Sequence, residues 1–515
     1  MLNATPLLKL YAKYRSYQKN FSSPASQQTK VLMSLVKRCE NTKFGKDHGF
    51  SKISSIAEYQ KQVPLRTYEQ MWPQYWEKAF PSLTNASWPD KIKFSALSSG
   101  TSSGVTKYLP LTDDMLKGNT KAALDILCYH VDSYKDSQIF AGKSFVLGGS
   151  TDLRDLGEGI LGGDLSGIVN INLPWWIKER YFPPAELALL SNWEEKIRIM
   201  GERALKEDIR SLSCVPSWML LFFNHLQLTT GKTFAENFPN VELIIHGGIS
   251  FEPYRKTVEE LIKGSKAVLR EVYPASEGFI AIQDKGSGEG MRLITDHGIF
   301  YEFVPVDELD SPNPTRHWVN TVEKDINYAV VLTTNSGLFS YIIGDTVRFV
   351  ETDPPRVLVT GRTSYFLSAF GEHLIGEEIE KGILTAANAC GIAVSEFSVG
   401  PVYPKDEKEL GSHIYVIELV QEKDFDSALF LKTLDDTLYD LNEDYAAHRS
   451  KGFGLNPPTL KFVKPGTFAA WMKSRGKLGG QNKVPRVILK DDVLQGLVGF
   501  KNLRINNLNP CNSLS

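Results

Sequence analysis

The side chains best suited to chemistry in this chain gather in one stretch, Ser98-Ser99-Gly100-Thr101-Ser102-Ser103-Gly104-Val105-Thr106-Lys107. It packs six hydroxyls, two glycines and a lysine into ten residues. Hydroxyls and glycine amides can wrap polyphosphate oxygens, because glycine admits the φ > 0 conformations that turn successive N–H groups inward. Lys107 adds a mobile point charge for the same anion. A solvated Ser/Thr/Gly turn has the same composition, so the stretch alone leaves both readings open. It is not a Walker A loop: three residues separate Gly100 from Gly104, and Tyr108 follows Lys107.

Further candidates stand at the ends of apolar runs. Residues 241–246 read as a buried strand ending in Gly247-Gly248, and 268–273 as a second ending in Tyr273-Pro274-Ala275-Ser276-Glu277-Gly278. Glu277 in such a turn could hold a hard cation such as Mg²⁺, which needs one or two protein carboxylates beside phosphates. A turn glutamate is equally at home in water. Residues 328–334 are strand-like and lead, through a glycine turn, to Tyr341-Ile342-Ile343-Gly344-Asp345; that carboxylate could accept both hydroxyls of a ribose, although Gly-Asp is also a common turn pair. A strand over 357–360 ends in Gly361-Arg362, and 473–486 is basic and glycine-rich, a cationic loop able to close on an anion or simply solvated. Residues 215–223 form an apolar helix with Pro216 in its first turn. Trp218, Met219 and Phe222 there, like Trp175 and Trp176, fill a core or line an apolar substrate pocket.

One motif misleads. Gly157-Glu158-Gly159-Ile160-Leu161-Gly162 fits the dinucleotide fingerprint, which requires a strand before it and a helix after it. Polar residues 151–156 precede it and glycine-rich 163–167 follows, so a surface loop is expected. Gly286–Gly290 reads as a hairpin turn.

The elements that must carry these residues alternate between strand and helix, which indicates an α/β layer structure with ligands at the carboxyl ends of its strands. Helices are expected over 27–39, 115–127, 193–209 (Ile197, Met200 and Leu205 inward) and 254–263, with another strand over 144–147. From about residue 369 the style changes to a compact α+β module. Its expected parts are helix 376–390, strands 396–402 and 414–420, helix 424–444 and strand 459–464. The domains are therefore expected at 1–368 and 369–515.

Composition narrows the partners. With 58 basic and 60 acidic residues, the formal charge of -2 gives no hint of nucleic acid or an anionic membrane. The five cysteines are odd in number and dispersed without C-x-x-C spacing, which argues for reduced thiols and against a zinc site. Residues 1–11 lack an apolar run of signal-peptide length. Residues 214–223 reach about half of the ~20 needed to span a bilayer. A cytoplasmic protein acting on small molecules is expected.

In their order along the chain these signals resemble the adenylate-forming superfamily of acyl-CoA synthetases, peptide-synthetase adenylation domains and luciferases. Within it, Ser-Ser-Gly-Thr-Ser-x-Gly-x-x-Lys at 98–107 and Tyr-Pro-Ala-Ser-Glu-Gly at 273–278 are similar to the auxin-responsive (Gretchen Hagen) acyl-acid amido synthetases. Val215-Pro216-Ser217-Trp218-Met219, Gly480-Gln481-Asn482-Lys483-Val484-Pro485-Arg486 and Asn41-Thr42-Lys43-Phe44-Gly45 add to that likeness. The resemblance implies a large N-terminal α/β domain with several sheets and a small C-terminal α+β domain that rotates about a hinge at 364–371. It implies ATP and Mg²⁺, a carboxylic acid and an amino acid as substrates, and roles for particular residues. Ser98, Ser99, Gly100, Thr101, Ser102 and Lys107 would hold phosphates; Gly247, Gly248 and Tyr273 the adenine. Ser276 would sit by the reacting phosphate, Glu277 on Mg²⁺, and Asp345 with Arg362 on the ribose. Lys483 would reach the acyl and phosphate oxygens during adenylation. Ser340 and Ile342 stand where the family usually has arginines, and Ala275 where many members have a second serine. An acyl-CoA ligase on the same scaffold and a non-catalytic nucleotide-binding relative are the alternatives. An NAD-linked oxidoreductase would rest on Gly157–Gly162 alone.

Overall fold

A computed structural model of the chain describes all residues except 1, 100–105, 148–152, 189–192, 249–250, 364–366, 368–371, 373, 404–409, 450–454, 478–482 and 501–515. It divides into two units. The first comprises Met1–Ser250 and Val258–Val359; the second comprises Phe251–Thr257 and Thr360–Ser515.

The first unit is built on a sheet with twelve strands among the described residues. Tyr181–Phe182, Lys143–Leu147, Ile209–Cys214, Leu243–Gly247 and Val268–Ala275 run parallel. The helix Pro216–Thr230 returns the chain between the third and fourth of these, as parallel pairing requires. From Val268–Ala275 the sheet turns antiparallel, through Gly278–Ile282, Met291–Leu293 and Pro355–Arg362. It continues through Tyr341–Thr352, Asn327–Thr334, Ile299–Pro305 and His317–Trp318. The Ser276-Glu277 turn therefore stands where parallel pairing gives way to antiparallel.

A second sheet orders Thr106–Leu111, Phe94–Ser99, Ile160–Gly163 and Arg154–Gly157. Here two expectations are corrected. Gly157–Gly162 is no surface loop: Gly157 pairs with Ile160 across a two-residue Glu158-Gly159 turn with φ of 55° and 73°, the left-handed pair that a tight hairpin demands. A helix, Leu165–Ile171, also forms directly after it, because Asp164 enters from an extended conformation and Ile168 is buried against the core. The glycines thus serve a hairpin rather than a strand–helix phosphate turn.

The helix expected over 193–209 spans Trp193–Ala204. Ile197 and Met200 are buried as expected, but Leu205 lies past its end and is exposed. The polar Lys206-Glu207-Asp208 turn then releases the strand Ile209–Cys214. Both sheets and the helix Pro24–Cys39 share one core, in which Leu32, Leu35 and Val36 meet Ala96, Leu109, Tyr273, Ile280, Tyr341 and Ile343.

The N-terminal helix Thr5–Phe21 is fastened by buried charge. Arg15 donates to Asp125 through Nε and Nη2 (2.9 and 2.8 Å) and to Asp296 through Nη1 (2.9 Å), while Lys19 lies 3.0 Å from Asp125. Asp125 belongs to the helix Asp113–Ser133 and is fully buried.

In the second unit Val394–Val402 pairs antiparallel with Ser412–Leu419, which pairs parallel with Thr459–Val463. The helices Gly376–Ala389 and Ser427–Leu441 pack together through Ile379, Ile383, Leu434 and Leu438. The helix expected over 424–444 begins later, where Asp426 caps the amides of Ala428 and Leu429 (2.9 and 3.0 Å), and breaks at Asn442 before Glu443–Arg449. Among the described residues no helix is long and apolar enough to cross a membrane.

Candidate active site

The two described ends of the hydroxyl-rich stretch lie on paired antiparallel strands. Ser98 and Ser99 close the strand Phe94–Ser99, and Lys107 stands directly opposite Ser98 on the returning strand Thr106–Leu111. Gly100, Thr101 and Ser102 lie outside the described residues, as does the side chain of Ser99. Lys107 Nζ is 3.5 Å from Glu69 and 5.3 Å from the centre of the Tyr68 ring. The Tyr68 hydroxyl accepts from the Tyr108 amide (3.0 Å), and burial pushes its pKa up to about 12. Neither Tyr68 nor Glu69 was singled out from sequence. They sit in an aromatic, proline-punctuated segment that carries no catalytic spacing.

The second group gathers at the carboxyl edge of the parallel strands. Gly247 ends Leu243–Gly247 in register with Val272, and a Cβ on Gly247 would overlap the Val272 carbonyl oxygen. Gly248 follows at φ 83°. One residue beyond Val272, the Tyr273 hydroxyl donates to Asp345 Oδ2 at 2.7 Å, joining residues 72 positions apart. Ala275 pairs with Gly278, so Ser276 and Glu277 form a two-residue hairpin turn, both half-buried. Asp345 does not follow a turn, as the Gly-Asp pair suggested. It lies within the continuous strand Tyr341–Thr352, beside Gly344 at φ 86°, where the ladder to Asn327–Thr334 slips between Ala329–Thr346 and Val331–Ile342. That bulge re-aims the carboxylate toward Tyr273. Gly247→Ala should lower the melting temperature by several degrees, read by calorimetry; an unchanged value would show the close approach to be dispensable.

Ser340 is fully buried, accepts from Arg316 Nη2 (2.7 Å) and lies 3.1 Å from Glu302, which Arg316 grips with two bonds of 2.9 Å. An arginine thus reaches this segment from position 316. Met219 and Phe222 are fully buried, and Phe222 meets Phe145 and Phe223 edge to face at ring distances of 5.1 Å. The sequence left open whether these side chains fill a core or line a pocket, and here they are enclosed; the side chain of Trp218 lies outside the described residues. Trp175 is largely exposed.

Asp164 stands at the start of the Leu165–Ile171 helix. Burial pushes it up to about 6 against the pull of Lys196, which its own burial lowers to about 8.

Arg362 and Lys483 belong to the second unit. Arg362 is the last residue of Pro355–Arg362. Lys483 is exposed and precedes an anchored segment rather than a loose loop: Val487 bridges to Val399, and the upstream basic residue Lys473 lies in the helix Thr467–Ser474. The expected hinge at 364–371 lies outside the described residues except for Leu367, whose amide and carbonyl pair with those of Leu374.

This architecture defines a class. It matches a solved GH3.15 acyl acid amido synthetase with a TM-score of 0.76 over 93% of this chain and 93% of that one, at 18% identity. It also matches a 2-hydroxyisobutyryl-CoA ligase solved in a postadenylation state, with a TM-score of 0.61 over 91% and 90%, at 13% identity. The shared property is the fold of adenylate-forming enzymes. More narrowly, the chain belongs to the GH3 family, whose N-terminal, central and C-terminal domain models match residues 13–154, 292–362 and 377–492. Among curated relatives, the probable indole-3-acetic acid-amido synthetase GH3.9 of Oryza sativa subsp. japonica is 25% identical over 276 residues, 50% of this chain and 61% of that protein. The indole-3-acetic acid-amido synthetase GH3.3 of Arabidopsis thaliana is 23% identical over 240 residues, 44% of this chain and 40% of that protein. The aligned spans therefore cover less than two thirds of these relatives' own length.

Proposed function

We propose that this protein is an ATP-dependent acyl-acid amido synthetase. The observation that carries the reading is the Tyr273–Asp345 hydrogen bond at the carboxyl edge of the sheet, beside the Ser276-Glu277 hairpin and the side-chain-free Gly247 position. The carboxyl ends of the strands are where α/β sheets bind ligands, and these groups suit a nucleoside triphosphate. The Gly247-Gly248 backbone carries no side chains and would lie along a flat base. The Tyr273 ring stands next to it, and Asp345 offers carboxylate oxygens to ribose hydroxyls.

Ser98, Ser99, Gly100, Thr101, Ser102 and Lys107 would take the phosphates. The Lys107–Glu69 pair is long and its acid half-exposed, so it costs little to break when a phosphate arrives. Glu277 has the hard oxygen donor that Mg²⁺ prefers and would hold it with the substrate phosphates; the bound ion would neutralise their charge.

The chemistry has two steps. A substrate carboxylate attacks the α-phosphorus of ATP and expels pyrophosphate, forming an acyl-adenylate. An amino-acid amine then attacks the acyl carbon and releases AMP. For the first step the chain supplies alignment and positive charge, from Lys107 and Lys483, rather than covalent chemistry. For the second, movement of the small domain about 364–371 would clear Lys483 from the acyl carbon.

The test is a screen of carboxylic acids for acid-dependent ATP–pyrophosphate exchange, followed by mass analysis of products formed with pooled amino acids. Exchange followed by amide formation is expected. Thioester formation with coenzyme A, and no amide, would convert the reading to an acyl-CoA ligase. No exchange with any acid would end it.

A further inference from the structure

Three residues after Lys483 the chain is held with unusual thoroughness. Arg486 Nη1 donates to Glu396 Oε2 (2.5 Å) and to the Phe397 carbonyl (3.1 Å), and its Nη2 donates to the Tyr254 hydroxyl (3.3 Å). The Tyr254 hydroxyl in turn donates to Glu396 Oε1 at 2.6 Å, closing a three-membered cycle. The guanidinium also lies 4.3 Å from the centre of the Phe397 ring. All of these groups belong to the second unit, and Tyr254 itself is buried.

The backbone around Arg486 is fixed in the same place. The Val399 amide donates to the Arg486 carbonyl and the Ile488 amide to the Val399 carbonyl, both at 2.8 Å. The Ser398 hydroxyl donates to the Pro485 carbonyl at 2.6 Å. Residues 485–488 are thus laid along the edge of the Val394–Val402 strand, with Val487 and Ile488 buried. Lys483 leaves this anchored segment two residues before Pro485, whose ring fixes φ and stiffens the exit.

The bond pattern is more than stability requires. A charge pair this enclosed brings little net stability, because desolvation offsets the attraction. What a planar guanidinium gripped by a carboxylate, a carbonyl, a phenol and an aromatic face does supply is a fixed direction. We infer that Arg486, oriented by Glu396 and Tyr254, is a positioning residue that sets where Lys483 emerges from the small unit. The assignment rests on the reading of Lys483 as the adenylation lysine. It adds a function for Arg486, which the sequence motif contains without a role, and for Tyr254, which comes from a segment 229 residues upstream of Lys483.

The test uses the full-length protein and two variants, Arg486→Gln and Tyr254→Phe. Arg486→Gln is expected to slow acid-dependent ATP–pyrophosphate exchange about 10- to 100-fold, the scale that a displacement near 1 Å produces. Amide formation from a supplied acyl-adenylate should stay within about two-fold, because that step does not use Lys483. Combined with Lys483→Ala, Arg486→Gln should add no further loss, since a residue acting through another is silent once that other is gone. Deuterium uptake at the Ile488 amide should rise in Arg486→Gln. Should Arg486→Gln fail to fold, Tyr254→Phe keeps the ring, removes only the hydroxyl, and must show the same split between half-reactions at a few-fold amplitude. Equal losses in both half-reactions, or additive losses in the double variant, would overturn the assignment. So would unchanged exchange in both variants. The wild-type arm separates the two levels: absent exchange there overturns the synthetase reading itself, whereas normal wild-type exchange with unaffected variants overturns only the role of Arg486.

Discussion

Lys483→Ala should cut acid-dependent ATP–pyrophosphate exchange by about 10²–10³-fold while leaving amide formation from a supplied acyl-adenylate nearly intact. A single preorganised charge contact at a phosphoryl centre is worth about 10²–10³ in rate. Lys483 is exposed and lies within the basic, glycine-rich stretch 473–486, yet the residues behind it are anchored along a strand edge. That combination gives a long cation a firm base. Exchange and amide synthesis must be measured separately, because the overall rate would fall in either case. Equal loss of both half-reactions would show Lys483 to be a general binding group rather than one confined to adenylation.

The second large effect concerns stability. Asp125→Ala should destabilise the first unit by about 3–5 kcal/mol, the usual consequence of stranding a buried cation. Arg15 and Lys19 both converge on Asp125, and Arg15 is itself buried. Chemical denaturation followed by circular dichroism would read the change; a shift below about 1 kcal/mol would mean that Asp296 alone suffices for the two cations.

The same cluster predicts an acid limit. Burial pushes the Asp125 carboxyl up, but hydrogen bonds from Arg15 and His297 and the charge of Lys19 outweigh it and hold the group far below the usual carboxylate range. Glu242 has the same sign at about 2, where contacts with His130, Ser137 and the Gln138 amide overcome its burial. A depressed folded-state pKa contributes stability above the ordinary carboxylate range. That contribution is lost progressively as pH falls from the ordinary range through the depressed folded value, so stability should decline below about pH 4, read by denaturation across pH.

Much of this fold could be read from the sequence where one pattern sufficed. The strands Lys143–Leu147, Leu243–Gly247 and Val268–Ala275 are apolar runs buried in a sheet, and the second unit's helices and strands follow clean periods. What escaped were features decided by a distant partner. The strand Thr106–Leu111, with its lysine and proline, exists because Phe94–Ser99 pairs with it. Leu165–Ile171 forms in spite of its glycine because it has a core to lean on. Gly344-Asp345 reads as a turn until the neighbouring strand turns it into a bulge.

The site divides the same way. Each motif at 273–278 and 341–345 was legible singly, while the Tyr273–Asp345 bond depends on strand order that no local pattern encodes. Glu69 beside Lys107, and Glu396 and Tyr254 around Arg486, are likewise long-range partners.

The allotment of Phe251–Thr257 to the second unit has a practical result for protein engineering. The polypeptide crosses between the units at 250/251, at 257/258 and at 359/360, so the smaller body is not one uninterrupted gene segment. A fragment begun at residue 360 would lack the Tyr254 ring and expose the groove it fills. Chimeras that graft the tail of one relative onto the body of another at that junction would inherit mismatched neighbours for Glu396 and Arg486. Recombinants carrying the donor's short internal stretch along with its tail should express as intact protein where simple end-to-end fusions aggregate.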